Sequence, residues 1–254
     1  MNTLYLIITF LTGLAFGSFS SVVIHRLHTK ESGILFGRSK CPNCKNLLGA
    51  IDLIPVLGFL INKFKCRFCK VPISVKYPIL EIVMGSAFLL TAIMVGLTQP
   101  FLLAYYLIVV FVFVLLSFYD IYFQEIPDEI SVPTIILTGL VGIFAHLHSP
   151  TNLLIGFMVP VLFFGTLFFG SRGRWLGGGD IRIGAIMGFV LGWPNIIIGL
   201  FMGYLIGSVF SVFGLLSSKL NRKSPIPFGP FLFLGTYIAM FWGKDIISWY
   251  LGML

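Results

Sequence analysis

The chain has 254 residues, of which 57% are hydrophobic and only 10% charged, with a mean hydropathy of +1.01. A soluble domain would carry about 25% charged residues, so this composition excludes one and predicts an integral membrane protein. The formal net charge of +8 would fit nucleic-acid binding only if the cations formed a patch, and their placement argues against that.

Residues 3–25 form the first apolar run. No small-residue cleavage site follows it, so it reads as a retained transmembrane helix rather than a removed signal peptide. Residues 26–78 are the only sizeable polar insertion. Beyond them, spans are predicted at 79–98, 101–119, 130–147, 152–170, 181–193, 196–217 and 228–250, most of them long enough for a hydrocarbon core of about 30 Å. Gln99-Pro100, Ser149-Pro150 and Trp193-Pro194-Asn195 mark the outer turns. The fold class is therefore an all-α polytopic membrane protein, about eight transmembrane helices with a small cytoplasmic zinc-binding insertion. Three domains are expected: 1–25, 26–78 and 79–254.

With the N-terminus outside, the inner segments are 26–78, 120–129, 171–180 and 218–227. Together with Arg182 at the inner end of the sixth span, they hold every one of the 17 Lys and Arg residues except Lys244. That bias sets orientation by the positive-inside rule. It accounts for the basic charge without nucleic acid and favours anionic lipid headgroups. Small residues in the seventh span (Gly203, Gly207, Ser208, Ser211, Gly214) predict close helix packing. No repeat of 20–50 residues is evident.

All four cysteines lie in the polar insertion, as Cys41-Pro42-Asn43-Cys44 and Cys66-Arg67-Phe68-Cys69. Paired CxxC knuckles predict a structural zinc site with four thiolates closing a tetrahedron. A segment this small has little core, so the metal would supply much of its folding energy. The alternatives are two disulfides, unrelated thiols or a redox CxxC. Stable disulfides are rare in the reducing cytosol, and no βαβ pattern surrounds either pair. Four sulfurs leave no coordination position for water, and His25 and His28 read as interfacial or surface residues.

Two acids carry the chemistry. Asp120 follows a continuous apolar run, and Asp180 follows Gly177-Gly178-Gly179. Ionisable groups at membrane depth are functional candidates by default, and two carboxylates from separate helices could share a proton and activate water, as in aspartic proteases. The three glycines allow a close backbone approach or positive φ before the acid. Helix dipoles point to Asp180 as base and Asp120 as acid, within a dyad that titrates as a pair. Two helix-cap carboxylates in solvent are the bland alternative, and for Asp128 the N-cap of the fourth span is the expected role.

Taken in order, the motifs resemble the type IV prepilin peptidases, the bifunctional leader peptidase/N-methyltransferases of pilus and type II secretion systems. The resemblance covers nearly the whole chain. It rests on Gly17-Ser18-Phe19 through Val22-Val23-Ile24-His25-Arg26-Leu27, the paired knuckles, Tyr77-Pro78-Ile79-Leu80-Glu81, the Asp120 segment with Ile126-Pro127-Asp128, the GxGD motif ending at Asp180, and Ile226-Pro227-Phe228-Gly229-Pro230-Phe231. It implies a GxGD-type aspartyl protease of the bacterial inner membrane, with Asp120 and Asp180 matching the catalytic pair. Its partners would be membrane-inserted prepilins or pseudopilins, cut after a glycine at the cytoplasmic face, and membrane lipid, with no nucleic acid. The new N-terminus, commonly phenylalanine, would then be methylated from S-adenosylmethionine. Ser21 stands where the family usually has asparagine, His28 where proline is frequent, and Arg182 where lysine is common. The Ser21 change bears on methylation more than on proteolysis.

A prepilin has a basic leader before an apolar helix, so its cleavage site rests at the depth expected of the two acids. The 120–129 loop holds Asp120, Glu125, Asp128 and Glu129 without a cation, an acidic patch that would attract such a leader. Capping and solvation of a helix start is the competing use of these acids. The glycines at 177–179 would give room for an extended substrate. No soluble-type glycine-rich nucleotide loop is present, and Glu81 and the 226–231 segment are candidate contributors to methyl-donor binding. A transporter with intramembrane acids, or a non-enzymatic zinc scaffold, would also fit parts of the pattern.

Overall fold

The computed structural model describes residues 3–30, 37–217 and 225–253. Parts of two predicted inner segments, residues 31–36 and 218–224, lie outside the described residues, and with them Lys219, Arg222 and Lys223. Among the described residues the elements are helical, joined by two isolated bridges, Lys40 with Leu47 and Lys65 with Pro72. The helices are α1 (Thr3–Thr29), α2 (Leu57–Ile61), α3 (Lys76–Val95), α4 (Pro100–Phe123), α5 (Asp128–Phe144), α6 (Pro150–Ser171), α7 (Gly178–Leu191), α8 (Asn195–Leu216) and α9 (Gly229–Leu251).

Apart from the short α2, each helix covers one predicted span. Five of them, α1, α3, α4, α6 and α8, are long and apolar enough to cross a membrane. The remaining three explain why the expected count of eight is not reached on length and composition. α7 has 14 residues, a rise of about 21 Å at about 1.5 Å per residue, short of a hydrocarbon core of about 30 Å. α5 is also short, with 17 residues, and α9 carries Lys244 and Asp245 within its length. Large apolar side chains left exposed on α6 and α8, among them Leu162, Phe169, Phe201 and Phe213, suit contact with lipid.

Local chemistry places the helix ends. Ser149 caps α6, its hydroxyl accepting from the Asn152 N–H at 3.3 Å, with Pro150 in the first turn. Gly96 ends α3 at φ +73°, in the left-handed region that glycine enters without penalty.

The described residues form two compact units, Met1–Leu115 and Leu116–Leu254, so that the division falls within α4. In the first unit α1 packs on α3. A Cβ on Gly17 would stand 2.6 Å from the Glu81 Cα, and one on Gly13 would stand 2.8 Å from the Gly85 Cα. The second unit uses the same device: a side chain on Gly235 of α9 would collide with the Gly199 carbonyl of α8. The packing role expected of Gly203 and Gly207 holds, since both back onto α9 or its entry, at Leu232 and Phe228. Ser208 and Ser211 turn their hydroxyls to carbonyls of their own helix.

Candidate active site and metal centre

Asp120 sits in the last turn of α4 and is only 7% exposed. Its Oδ2 accepts the backbone N–H of Gly229, the first residue of α9, at 2.8 Å. A Cβ on Gly229 would stand 2.9 Å from that oxygen and 3.3 Å from the Ile183 Cδ1. Ile183 is one turn beyond Asp180 on α7, so Gly229 brings the α4 end, the α9 start and the Asp180 helix together. Asp180, half-buried, accepts the Gly177 N–H on its own Oδ2 at 3.2 Å, closing the first turn of α7. The two carboxylates lie within electrostatic reach of one another. The helices that carry the two acids thus meet at Gly229.

Of the two uses open to the glycines one is realised, and the expected helix cap is not. None of Gly177, Gly178 and Gly179 adopts positive φ. Close approach is the operative property, and only at Gly179, where a Cβ would stand 2.6 Å from the Ile126 Cγ1. Asp128 does not cap α5 either. Pro127, in extended conformation, occupies the N-cap position, and the Asp128 carboxylate pairs instead with the Arg182 guanidinium of α7. Gln124, at φ +55°, reinforces the same corner by donating from Nε2 to the Pro225 carbonyl at 3.3 Å. Glu125 and Glu129 are exposed beside it.

The sequence reading passed over three groups here. The Gly229 N–H lay inside the quoted 226–231 motif and is bonded to Asp120. The Ser117 hydroxyl, one turn before Asp120, and the Tyr204 hydroxyl on α8 are buried without a hydrogen-bond partner among the described residues. Each sits in an apolar run with no local pattern to mark it.

In the first unit, the sulfurs of Cys41, Cys44, Cys66 and Cys69 all lie within 4.8 Å of one another. The Cys41 and Cys69 sulfurs are 3.9 Å apart, against about 3.8 Å for the edge of a tetrahedron with Zn–S bonds of about 2.3 Å. All four cysteines are free rather than disulfide-bonded, and the set fits a tetrahedral metal. The two knuckles are a short repeat that escaped the sequence reading. In each, the first cysteine donates from N–H to the residue five positions on and accepts from the lysine four positions on (Cys41 with Asn46 and Lys45, Cys66 with Val71 and Lys70). Lys45 and Lys70 both stand at φ +59°. The Val71 N–H, then the Asn43 side chain, pull the Cys69 thiol down to about 6, whereas at Cys44 the Asn46 backbone bond is outweighed by burial and the neighbouring sulfurs, which push that thiol up to about 11. His25 and His28 are exposed, as expected.

Beside the knuckles opens a cavity of about 700 Å³, lined by Ser18, Ser21, Arg26, Phe59, Tyr77 and Glu81 among others. Glu81, buried on α3, accepts the Val56 N–H at 2.7 Å. Val56 is β-branched yet stands at φ +60°, a strained geometry of the kind that collects at functional sites.

The Bacterial Peptidase A24 N-terminal domain model matches residues 11–95, and that of the Type IV leader peptidase family matches residues 106–212. The chain is 30% identical over 284 residues to the prepilin leader peptidase/N-methyltransferase of Aeromonas salmonicida (strain A449), covering 99% of this chain and 95% of the relative. It is 33% identical over 246 residues to the protein of that name from Bacillus subtilis (strain 168), covering 97% and 98%. With the Aeromonas hydrophila protein it shares 31% over 280 residues, covering 98% and 94%. No solved structure matches the chain.

Proposed function

The chain belongs to the type IV leader peptidase family, and we propose on that footing that it removes the basic leader of membrane-inserted prepilins or pseudopilins. The cut falls after a glycine, at the cytoplasmic face of the bacterial inner membrane, with the N-terminus outside and residues 26–78 inside. Asp120 and Asp180 are the catalytic pair. The observation that supports this reading is that Gly229 is bonded to Asp120 and packs on Ile183, one turn from Asp180 on the same helix.

Two carboxylates that share a site favour a pair holding one proton. The ionised carboxylate accepts a proton from water as the water oxygen bonds to the scissile carbonyl carbon. The protonated one donates toward the carbonyl oxygen. When the C–N bond breaks, the pair gives its proton to the leaving amine and takes one from a hydroxyl of the tetrahedral intermediate, whose oxygen becomes the new carboxyl carbonyl, so the dyad returns to its single-proton state. Backbone N–H bonds from Gly229 and Gly177 hold one oxygen of each carboxylate, leaving the other for this work. Gly179, packed on Ile126, keeps the approach to Asp180 narrow and smooth. With Asp128 neutralised by Arg182, Glu125 and Glu129 are the acids left to attract the cationic leader.

The four cysteines hold zinc in a closed shell, a structural role. The relatives' names also carry N-methyltransferase, and the region matched by the N-terminal domain model contains the cavity. Its volume is within the range of about 300–1,000 Å³ usual for small-ligand sites. S-adenosylmethionine, when bound, supplies an electrophilic methyl group on a sulfonium. Glu81 offers that cation a carboxylate, and Phe59 and Tyr77 offer the purine flat apolar surfaces.

A single assay tests both activities: purified enzyme and a model prepilin in detergent, with S-adenosylmethionine, read by mass spectrometry. Wild type should release the leader after glycine and add about 14 Da, the mass of one methylene, to the product. Asp120→Asn and Asp180→Asn should fold and fail to cleave. Glu81→Gln should cleave and leave the product unmethylated. Normal cleavage by both asparagine variants would remove the dyad from the mechanism.

A further inference from the structure

Tyr204 lies on α8, where its hydroxyl oxygen is buried and bonded to nothing among the described residues. Buried hydroxyls nearly always find a partner, and one that does not calls for an explanation. Tyr105 is another buried phenol without a partner among the described residues, but its ring neighbours another tyrosine, Tyr106, at 5.6 Å. The Tyr204 hydroxyl instead lies in the field of Asp180.

The ring is held in place by residues attached to both acids. It packs on Phe228 at a centroid distance of 4.9 Å, and Phe228 immediately precedes the glycine whose N–H holds Asp120. On its other side it stacks with Phe164 at 6.4 Å and 24°. Phe164 in turn fills the space at Gly184, where a Cβ would meet its ring at 2.6 Å. Gly184 is one turn beyond Asp180 on α7. Phe163 closes a third side edge-on at 5.7 Å. A phenol ring clamped among three aromatic rings has little freedom to move, so the position of its oxygen is set in advance. Hydrogen-bonded to neither carboxylate, it has its donor available for a group that arrives with the substrate.

We propose that Tyr204 is a further catalytic residue of the peptidase site, its O–H donating a hydrogen bond to the carbonyl oxygen of the scissile peptide. That oxygen gains negative charge as water adds to the carbonyl carbon, so the bond strengthens in the transition state. Tyr204 keeps its proton throughout, and no covalent bond forms or breaks at it. The assignment rests on the aspartyl reading above.

Tyr204→Phe removes the donor and keeps the ring in its clamp. With a model prepilin in detergent, kcat should fall between about 10-fold and about 100-fold, with KM and the melting temperature unchanged. A purely structural tyrosine would move the melting temperature, not kcat alone. Asp180→Asn runs in the same assay. If it is inactive while Tyr204→Phe keeps kcat within about twofold of wild type, or changes KM alone, the proposal fails and the aspartyl reading stands. If Asp180→Asn still cleaves, the aspartyl reading falls and Tyr204 with it. Should Tyr204→Phe not fold, 3-fluorotyrosine placed at 204 makes the phenol a stronger donor at nearly the same size. It should raise kcat, and an unchanged kcat overturns the proposal.

Discussion

A methyl group on the α-carbon of Gly229 would stand 2.9 Å from the Asp120 Oδ2 and 3.3 Å from the Ile183 side chain. Neither neighbour can retreat easily: Ile183 is 1% exposed, and the carboxylate is tied to the Gly229 N–H itself. Gly229→Ala should therefore displace the carboxylate, and a misplacement of about 1 Å can cost about 100-fold in rate. Cleavage is expected to fall at least about 10-fold, with a stability loss of about 1–3 kcal/mol from overpacking. Gly165→Ala is the matched control, because a Cβ there meets nothing within 4 Å on α6. It should leave cleavage unchanged and raise helix stability by about 0.5–1 kcal/mol. Initial rates with the model prepilin and thermal unfolding in detergent separate the two.

The knuckles are the elements with least to hold them. Their backbone bonds are few and repeated, only Cys41 and Cys66 among the four sulfurs' residues are buried, and the large side chains near them, Leu47, Phe64 and Phe68, are exposed. Under the zinc proposal, folding energy for such a segment would come from the metal. Cys66→Ser should lower bound zinc from about one per chain to near zero, since three thiolates no longer close the shell. Unfolding should then begin at a lower temperature in residues 37–76, seen as faster amide exchange there. Elemental analysis and exchange mass spectrometry read the two effects. α7 is the contrasting case. Its 14 residues are too few to cross a bilayer, but under the aspartyl proposal their task is to present Asp180. Gly179 against Ile126, and Arg182 paired with Asp128, fix that helix to α5 and its entry.

A membrane enzyme whose substrate is anchored by an apolar helix meets only the substrate's leader through water. Long-range charge therefore acts on capture, not on the chemical step. Glu125 and Glu129 are exposed and have no ion pair among the described residues, whereas Asp128 is engaged by Arg182. Glu125→Gln combined with Glu129→Gln should raise KM for a basic leader several-fold at low salt and leave kcat unchanged. The gap should close as ionic strength approaches 0.15 M, where the screening length is about 8 Å. Equal KM values for the double variant and wild type at low salt would limit these acids to solvation.

Hydropathy, charge bias and motif spacing were enough to read the membrane class, the helix positions, both acids and the four thiols. These are properties of runs and local spacings: a 3.6-residue helix shows itself in an apolar stretch, and a CxxC turn in two cysteines. Contacts between distant segments were not legible in this way. The Gly229 N–H reaches Asp120 across 109 positions. With Pro127 at the N-cap, α5 starts one residue earlier than an Asp128 cap would have it, and Asp128 pairs with Arg182. Tyr204 is an ordinary aromatic in an apolar helix until Phe164 and Phe228 close on it beside Asp180. The types of chemical groups available were written in the sequence. Which of them share one buried volume was set by packing, because burial, contact and electrostatic reach depend on distances that exist only once the helices have closed on their glycines.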